Sequence, residues 1–299
     1  MWWADVGIRP LYLPNQTKKE HPMTIAEIKS LLAAHGLAPN RALGQNFLAD
    51  KAAASAIAEA SGAAEFPVLE IGPGLGALTE PLLCLSPHVT AVEIDAAMVR
   101  VLQVRFANAG NFTLLHEDFL ETDLAAVAPL LGAKCAVAAN LPYYVTTPVC
   151  MKLLTSALPI ERMALMLQKE AAERFTALPG SRQYGPLTVL AQRYYDIKFL
   201  MELSPARYYP QPEVDSAVLT LARRPGVTDL PALPRVLASA FSMRRKTLLN
   251  NLSAFFKTDK AVLKDMLEKL GFSPDVRGES LSPEDFLRLS SELEGLKAV

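Results

Sequence analysis

The segment Asn140-Leu-Pro-Tyr143 combines residue types that could present the exocyclic amine of a purine base for chemical attack. The lone pair of adenine N6 is delocalised into the ring, so this nitrogen is a poor nucleophile unless an acceptor holds one of its N–H groups. The side-chain oxygen of Asn140 and the backbone carbonyl of Leu141 are candidate acceptors, because Pro142 fixes the chain locally. Tyr143 could stack on the base. An isolated segment of this kind is more often a turn with a buried tyrosine. Its position in the fold decides between that structural role and binding of a base.

A glycine-rich turn, Glu70-Ile-Gly-Pro-Gly-Leu-Gly76, lies between a predicted strand and a predicted helix. Gly72 and Gly74 would let a ligand approach the backbone closely, since glycine has no Cβ. Glu93 ends the next predicted strand and could accept hydrogen bonds from two ribose hydroxyls. This arrangement fits either a dinucleotide or S-adenosylmethionine. Pro73 lacks an N–H that a pyrophosphate would use, and the spacing is not G-x-G-x-x-G, so S-adenosylmethionine is favoured.

Asp118 follows the third predicted strand. Alone, an acid in this position is more often a helix cap or a solvated loop residue. Beside the glycine turn and Glu93, it becomes a candidate acceptor for the N6 amine of the cofactor's own adenine.

The elements that position these residues alternate short apolar segments with longer amphipathic ones. Strands are predicted at 66–71, 89–94, 112–116, 135–139 and 162–168, and a last strand at 217–221 is expected to pair with 198–202. Helices are predicted at 77–85, 96–109, 148–156 and 169–176. This alternation predicts an α/β fold with a parallel sheet and helices on both faces. The candidate residues would then lie at the carboxyl ends of strands, where such sheets bind ligands.

The pattern changes after Arg223-Arg-Pro-Gly226, where helices are predicted at 230–256, 260–270 and 283–293. We therefore expect a catalytic domain over residues 23–222 and a small all-helical domain over residues 223–299. Residues 1–22 lack the features of a secretory signal and are expected to form an upstream extension or a disordered leader. No apolar run approaches the roughly 20 residues that span a bilayer, so no membrane association is expected.

Taken in order, these motifs resemble the KsgA/Dim family of ribosomal RNA adenine dimethyltransferases over about residues 39–251. The likeness also covers five further segments: Leu43-Gly-Gln-Asn-Phe-Leu48, Leu167-Gln-Lys-Glu170, Tyr184-Gly-Pro-Leu187, Tyr208-Tyr-Pro-Gln-Pro-Glu-Val-Asp-Ser-Ala217 and Phe241-Ser-Met-Arg-Arg-Lys-Thr-Leu248. The resemblance implies a Rossmann-like class I S-adenosylmethionine methyltransferase sheet with a small all-helical C-terminal domain. It also implies N6-dimethylation of two adjacent adenosines near the 3′ end of 16S ribosomal RNA, in ribosome biogenesis.

The resemblance assigns roles to particular residues. It implies cofactor contacts at Asn46, Leu48, Gly72, Gly74, Glu93, Asp118 and Asn140. It implies target-adenine contacts at Asn140, Leu141 and Tyr143, and it places Pro142 with them among the catalytic residues. The aromatic that opens the family's proline-rich signature is usually Phe and is Tyr208 here; its ring could face the adenine, and its hydroxyl would need a polar neighbour. The basic cluster Arg244, Arg245 and Lys246 is expected to contact RNA phosphates, although such a cluster can also be a solvated helix face.

The composition adds few constraints. The chain of 299 residues has a formal net charge of −1, which gives no global sign of nucleic-acid binding, yet residues 222–299 hold 13 Lys and Arg against 10 Asp and Glu. Cys84, Cys135 and Cys150 are scattered, which argues against a disulfide framework or a structural zinc site and for a reducing cytoplasm. Each is expected to be a small buried hydrophobe. No metal is expected. We expect the protein to be a monomer, and its expected partner is the 30S ribosomal particle or its small-subunit RNA.

Four alternatives stay open at the level of sequence. A macrolide-resistance type of 23S rRNA adenine N6-methyltransferase would share the cofactor, motif and fold. A DNA or protein-amide methyltransferase would use similar logic, but Leu141 stands where its motif has Pro. A non-catalytic RNA-binding assembly factor should lose Glu93, Asn140 or the glycines, which are intact here. An NAD-dependent oxidoreductase is disfavoured by Pro73.

Overall fold

The computed structural model describes residues 23–294 and contains a seven-stranded mixed sheet. Its strands are β2 (Val68–Ile71), β3 (Val89–Glu93), β4 (Phe112–His116), β5 (Cys135–Asn140), β6 (Ile160–Gln168), β7 (Tyr195–Leu203) and β9 (Ser216–Arg223). They follow the order β4-β3-β2-β5-β6-β9-β7. A separate two-stranded sheet pairs β1 (Phe47–Leu48) with β8 (Tyr208–Tyr209). The expected leader, residues 1–22, lies outside the described residues.

Parallel pairing of β4, β3, β2, β5 and β6 places their carboxyl ends at one edge of the sheet. The chain runs outward from β2 through β3 to β4, and then returns to β5 on the other side of β2. The crevice between β2 and β5 is therefore a topological switch point, where open α/β sheets bind ligands. Because Ile71 pairs with Ala139, the residues that follow this pair, Gly72 and Asn140, are neighbours.

Twelve α-helices surround the sheet in the described part of the chain. They are α1 (Ile25–Ala34), α2 (Lys51–Ala60), α3 (Thr79–Leu85), α4 (Ala96–Arg105), α5 (Leu124–Leu131), α6 (Thr146–Thr155), α7 (Lys169–Glu173), α8 (Pro186–Tyr194), α9 (Leu233–Ala240), α10 (Leu248–Phe256), α11 (Lys260–Lys269) and α12 (Pro283–Glu292). Alternate residues of the central strands enter opposite cores. Val68 and Ala136 join the core formed with α2 and α3, whereas Leu69 and Val137 join the core formed with α5, α6 and α8. Burial of both faces explains the continuous apolar character of these strands.

The C-terminal helices α9 to α12 pack into the second of these cores. Leu237 and Phe286 are fully buried there, and the hydroxyl of the buried Tyr184 donates to the Leu281 carbonyl at 2.7 Å. The helical segment is thus joined to the sheet through an apolar contact that includes α8.

The sequence-based prediction of one helix at 230–256 is wrong. The chain forms α9 and α10 there, separated by a turn at 241–247. The Thr247 side chain caps α10 by accepting from the Asn250 N–H at 3.3 Å. The buried Asn251 amide donates to the Ala240 carbonyl at 2.9 Å and the Met243 carbonyl at 3.2 Å, and so satisfies the end of α9. The basic cluster therefore lies in a turn, not on a helix face.

Other expectations for the fold are confirmed or corrected in detail. The α/β class with a helical C-terminal region is confirmed, and 217–221 pairs with 198–202 as expected. However, β9 is antiparallel to both β6 and β7, so the sheet is mixed. Helices α5 and α8 were not predicted; Pro129 lies inside the former. Cys135 and Cys150 are buried, but Cys84 is exposed, which contradicts the expectation for that residue. In the described residues, no helix has the length and apolar character to cross a membrane.

Candidate active site

A cleft of about 320 Å³ lies at the switch point between β2 and β5. It brings together all the residues predicted to contact the cofactor or the target base: Asn46, Leu48, Gly72, Gly74, Glu93, Asp118, Asn140, Leu141, Pro142, Tyr143 and Tyr208. These residues come from six separate places in the chain, and the strand order alone assembles most of them. The basic cluster at 244–246 does not line this cleft.

The glycine turn after β2 is held against the acid that ends β3. Gly72 and Gly74 have positive φ angles of 66° and 57°, which favour glycine. The Gly74 N–H donates to Glu93 Oε2 at 2.9 Å, and the Asp95 N–H donates to Oε1 at 2.9 Å. Burial raises the pKa of Glu93 above its usual value, and the hydrogen bonds from these two N–H groups offset only part of that rise. A carboxylate has about four acceptor sites, so further hydrogen bonds from a ligand remain available.

Sequence reasoning missed Glu70, a buried acid inside β2 that also lines the cleft. Burial, with a smaller contribution from the nearby Glu93 carboxylate, raises the pKa of Glu70 to about 8. The Thr79 hydroxyl is near enough to lower that pKa, but neither Glu70 oxygen has a donor at hydrogen-bonding distance among the described residues. A buried carboxyl without a partner beside an open cleft is suited to a cationic ligand.

The loop after β4 presents Asp118 to the cleft. Asp118 Oδ1 accepts from the Leu120 N–H at 2.8 Å, and the Asp118 carbonyl accepts from the Glu121 and Thr122 N–H groups at 2.9 Å each. These bonds form a tight turn that fixes the carboxyl group. The local structure agrees with either role considered for Asp118, since an acid that stabilises its own turn can still accept from a ligand through its second oxygen.

Asn140 is oriented by a contact from the N-terminal part of the chain. Its Nδ2 donates to the Asn46 carbonyl at 3.2 Å, so Oδ1 is the atom left to accept from a substrate. Leu141 is buried, and its N–H donates to the Met166 carbonyl at 3.1 Å. The Pro142 carbonyl accepts from the Val145 N–H and the Thr146 hydroxyl, each at 3.2 Å. The segment is thus fixed at both ends beside the glycine turn.

Two tyrosines that differ in accessibility complete the cleft. Tyr143 is half-buried, and its hydroxyl lies 3.1 Å from Ser216 Oγ. Tyr208 is 1 % exposed, and its hydroxyl donates to Met166 Sδ at 3.1 Å. Burial raises the pKa of both hydroxyls above the usual value, and the nearby Ser216 hydroxyl offsets only part of the rise in each pKa. Ser216 thus bonds to Tyr143 and also affects the Tyr208 hydroxyl, and it belongs to a motif whose aromatic member alone was assigned a role.

The segment that contains Asn46 has a second anchor that sequence reasoning missed. Gln45 Oε1 accepts from the Asn40 N–H at 2.8 Å, and Gln45 Nε2 donates to Asp95 Oδ2 at 2.7 Å. Gln45 therefore connects this segment to the residues that follow Glu93.

The basic cluster lies in the turn between α9 and α10, and its members differ. Arg244 Nε bonds to Glu279 Oε2 at 3.2 Å, and its terminal nitrogens donate to the carbonyls of Arg182 and Tyr184 at 3.1 Å and 3.2 Å. Arg244 thus has a structural role, because it connects this turn to the loop before α8. Arg245 and Lys246 are exposed. No group of three or more His, Cys, Asp or Glu side chains within residues 23–294 could hold a metal ion.

A parallel-rich sheet, a glycine turn beside an acid, and an Asn-Leu-Pro-Tyr segment at one switch point define a Rossmann-like methyltransferase. The chain belongs to the ribosomal RNA adenine dimethylase family, whose sequence model matches residues 36–294.

Curated relatives and solved structures agree with this family. The chain is 42% identical to ribosomal RNA small subunit methyltransferase A of Shouchella clausii (strain KSM-K16), over 90% of this chain and 95% of the relative. It is 40% identical to the protein of the same name from Geobacillus thermodenitrificans (strain NG80-2), over 90% and 96%. A dimethyladenosine transferase from Plasmodium falciparum superposes with a TM-score of 0.68 at 27% identity, over 83% of this chain and 97% of that chain.

The large-subunit alternative is not favoured by these comparisons. The 23S rRNA methyltransferase ErmE superposes with a TM-score of 0.58 at 25% identity, over 83% of this chain and 100% of that chain. The small-subunit relatives are considerably more similar in sequence.

Proposed function

We propose that this protein transfers methyl groups from S-adenosylmethionine to N6 of two adjacent adenosines near the 3′ end of 16S ribosomal RNA. The substrate would be the small ribosomal subunit or its RNA, and the reaction would take place in the cytoplasm during ribosome biogenesis, with the protein acting as a monomer. One observation carries this proposal: the oriented Oδ1 of Asn140 lies beside the Gly72 turn, because β2 and β5 pair in parallel register. The amine acceptor and the cofactor turn thus share one cleft.

The residues of the cleft fit the proposed cofactor. Glu93 would accept from the ribose hydroxyls, and Asp118 from the adenine amine. Asn46, Leu48 and Gly74 would line its methionine end. The orphaned Glu70 carboxyl fits a cationic cofactor better than a dinucleotide, whose pyrophosphate would add negative charge to this site. When bound, S-adenosylmethionine supplies an electrophilic methyl group on a sulfonium sulfur.

The residues at the end of β5 would hold the target base. Asn140 Oδ1 and the Leu141 carbonyl would accept the two N6–H groups, which directs the nitrogen lone pair towards the cofactor. Pro142 would fix the direction of the Leu141 carbonyl. Tyr143 would stack on the base, and the buried Tyr208 would support the far wall of the cleft. The adenine has to leave its helical stack to enter this cleft, and catalysis then depends on positioning and electrostatics.

The helical segment would supply contacts to the RNA. We propose residues 23–222 as the catalytic domain and residues 223–299 as an RNA-binding domain. Arg245 and Lys246 are exposed and, within residues 23–294, make none of the bonds that hold Arg244, so they are the better candidates for phosphate contacts. Contacts of this kind orient RNA without reading its sequence.

The Asn140→Ala variant tests whether the Asn140 side chain beside the Gly72 turn is needed for methyl transfer. We expect S-adenosylmethionine affinity within about tenfold of the wild type, because the glycine turn and Glu93 remain, whereas turnover falls by about 10²-fold or more, the typical loss for a preorganised polar group. Cofactor affinity is measured by calorimetry, and turnover by methyl transfer to 30S particles from cells that lack dimethyladenosine. Asn108→Ala, at an exposed asparagine, is the matched control. Turnover equal to that of the control would remove Asn140 from the mechanism.

The RNA substrate is tested separately. We expect methyl transfer to 30S particles and not to naked 23S RNA, and we expect mass spectrometry to show loss of 16S dimethyladenosine in cells without this protein. Transfer to 23S RNA would support the macrolide-resistance type instead. Binding to 30S particles with no transfer would support a non-catalytic assembly factor.

A further inference from the structure

Lys152 has no role in the site described above, yet its ammonium group donates three hydrogen bonds to the loop that carries Asp118. Lys152 lies in the last turn of α6 and is half-buried. Its Nζ donates to the carbonyls of Phe119, Leu120 and Thr122 at 2.8, 2.7 and 2.7 Å. The ammonium also lies 5.4 Å from the centroid of the Phe119 ring. An ammonium has three N–H donors, so one short loop takes all of them.

The geometry of this loop explains why a cation is needed there. Asp118 closes a tight turn with the N–H groups of Leu120, Glu121 and Thr122, so the carbonyls of the turn point together on the other side. Converging carbonyl dipoles repel one another unless a positive group lies between them. Hydrogen bonds from a charged donor are about twice as strong as neutral ones. An apolar side chain at position 152 would leave these carbonyls to water and loosen the turn.

The loop and α6 form two walls of the same cleft. Asp118, Phe119 and Leu120 line the cleft on one side. Helix α6 begins at Thr146, shortly after Tyr143 on the other side. The Lys152 side chain therefore connects the wall proposed for the adenine of the cofactor to the helix that follows the proposed target-base residues.

We propose that Lys152 is a positioning residue that fixes the Asp118 loop for the adenine end of the cofactor. This inference rests on the proposed use of S-adenosylmethionine. Lys152 acts through the Asp118 loop and does not itself touch a ligand. Its removal should therefore weaken cofactor binding and leave the chemical step unchanged once the cofactor is saturating.

The Lys152→Met variant tests this role, because it keeps the length and apolar stem of the side chain and removes the charge. We expect the KM for S-adenosylmethionine to rise about tenfold, equivalent to about 1.4 kcal/mol, with kcat at saturating cofactor close to the wild-type value. Calorimetry with S-adenosylhomocysteine and with adenosine should show the same factor for both ligands, since both contain the adenine. Lys134→Met is the matched control, because Lys134 is an exposed lysine paired with Glu161 on the surface. Lys152→Arg should restore part of the affinity by restoring a cation.

Equal cofactor affinity in Lys152→Met and the wild type would overturn the inference, as would a fall in kcat with no change in KM. If Lys152→Met does not fold, Lys152→Gln takes its place, since an uncharged amide with two N–H groups cannot replace three hydrogen bonds from an ammonium. Unchanged cofactor affinity in that variant would also overturn the inference. Failure of the wild type to bind S-adenosylmethionine or S-adenosylhomocysteine would overturn the proposed function instead, so the two failures are distinguishable.

Discussion

The hydroxyl contact between Tyr143 and Ser216 allows a quantitative test of how the target-base wall is built. The two oxygens lie 3.1 Å apart, and Ser216 is 1 % exposed. A tyrosine hydroxyl is protonated at neutral pH, and burial raises the pKa of Tyr143 further, so this hydroxyl can donate to Ser216. The perturbations are Ser216→Ala, Tyr143→Phe and the double variant, which together form a double-mutant cycle.

The magnitude follows from the type of bond. A net contribution of about 0.5–1.5 kcal/mol is usual for a hydrogen bond between neutral groups. If the bond holds the Tyr143 ring in the position needed for stacking, kcat/KM should fall by about two- to tenfold on Ser216→Ala, since 1.36 kcal/mol is tenfold in rate. Tyr143→Phe breaks the same bond and should cost less, because the hydroxyl that it leaves behind, that of Ser216, can turn towards Tyr208. The double variant should be no worse than Ser216→Ala alone.

The assay is methyl transfer to 30S particles at saturating cofactor, with the RNA substrate varied. Tyr195→Phe is the control: this tyrosine is also buried, and its hydroxyl donates to the Ile160 carbonyl at 3.3 Å, away from the cleft. Its loss should reduce the free energy of unfolding and leave kcat/KM unchanged. Additive effects of the Tyr143 and Ser216 substitutions would refute the reasoning, because residues that do not interact show no coupling energy.

Four further predictions concern the cofactor side of the cleft. Gly72→Ala should weaken S-adenosylmethionine binding with a stability cost of only about 1–2 kcal/mol for the left-handed backbone, because its Cβ would meet nothing within 4 Å. Gly76→Ala should instead lower the free energy of unfolding, measured with denaturant, by a larger amount and affect S-adenosylmethionine binding less. Its Cβ would lie 2.6 Å from the Phe106 ring, and overpacking adds about 1–3 kcal/mol. Because the pKa of Glu70 is raised to about 8, the native state holds a proton that the unfolded state loses near pH 4.5. The stability of the ligand-free protein should therefore fall as pH rises from about 5 to 8, and Glu70→Gln should flatten this dependence in thermal melts. At pH 7, calorimetry in buffers of different ionisation enthalpy should detect proton release when S-adenosylmethionine binds; no release in the wild type would contradict a direct pairing of Glu70 with the cofactor.

The juxtaposition of Gly72, Glu93 and Asn140 could be predicted from sequence because it depends on a general property of α/β sheets. Strands that alternate with helices pair in parallel, so the residues that follow them meet at one edge. No long-range information is needed beyond the order of strands. The same rule explains why the predicted cofactor residues at strand ends reached the cleft, whereas Asn46 and Leu48 reach it through the 40–48 segment.

Contacts that depend on the antiparallel strands could not be predicted in this way. β9 inserts between β6 and β7 and runs antiparallel to both, and no local feature of 217–221 specifies that direction. The pairing of Gln168 with Ser216 brings the start of β9 to the Tyr143 hydroxyl, which is why the Tyr143–Ser216 contact was missed. Glu70 could have been found, since an acid inside a strand that is apolar on both faces requires a reason.

The prediction of a single helix at 230–256 was wrong for a different reason. The apolar periodicity of 230–256 continues through a turn, because Phe241 packs partly into the same core as the helices on either side. The turn is stabilised by the side chain of Asn251, which reaches back to one carbonyl at the end of α9 and one within the turn. Such a tertiary cap has no signature in local propensity, since an asparagine in the first turns of a helix is unremarkable by itself.

The segment 40–48 makes the two halves of the cleft depend on each other. Gln45 bonds to Asp95, whose own N–H bonds to Glu93, so this segment is connected to the proposed ribose site. Its next residue, Asn46, accepts from Asn140 and thereby selects the oxygen that faces the target amine. Leu48 then pairs with Tyr208 in the small sheet. Because neighbouring residues of one segment contact both the cofactor side and the target side, displacement of this segment would remove the orientation of Asn140 together with the support of the cofactor site.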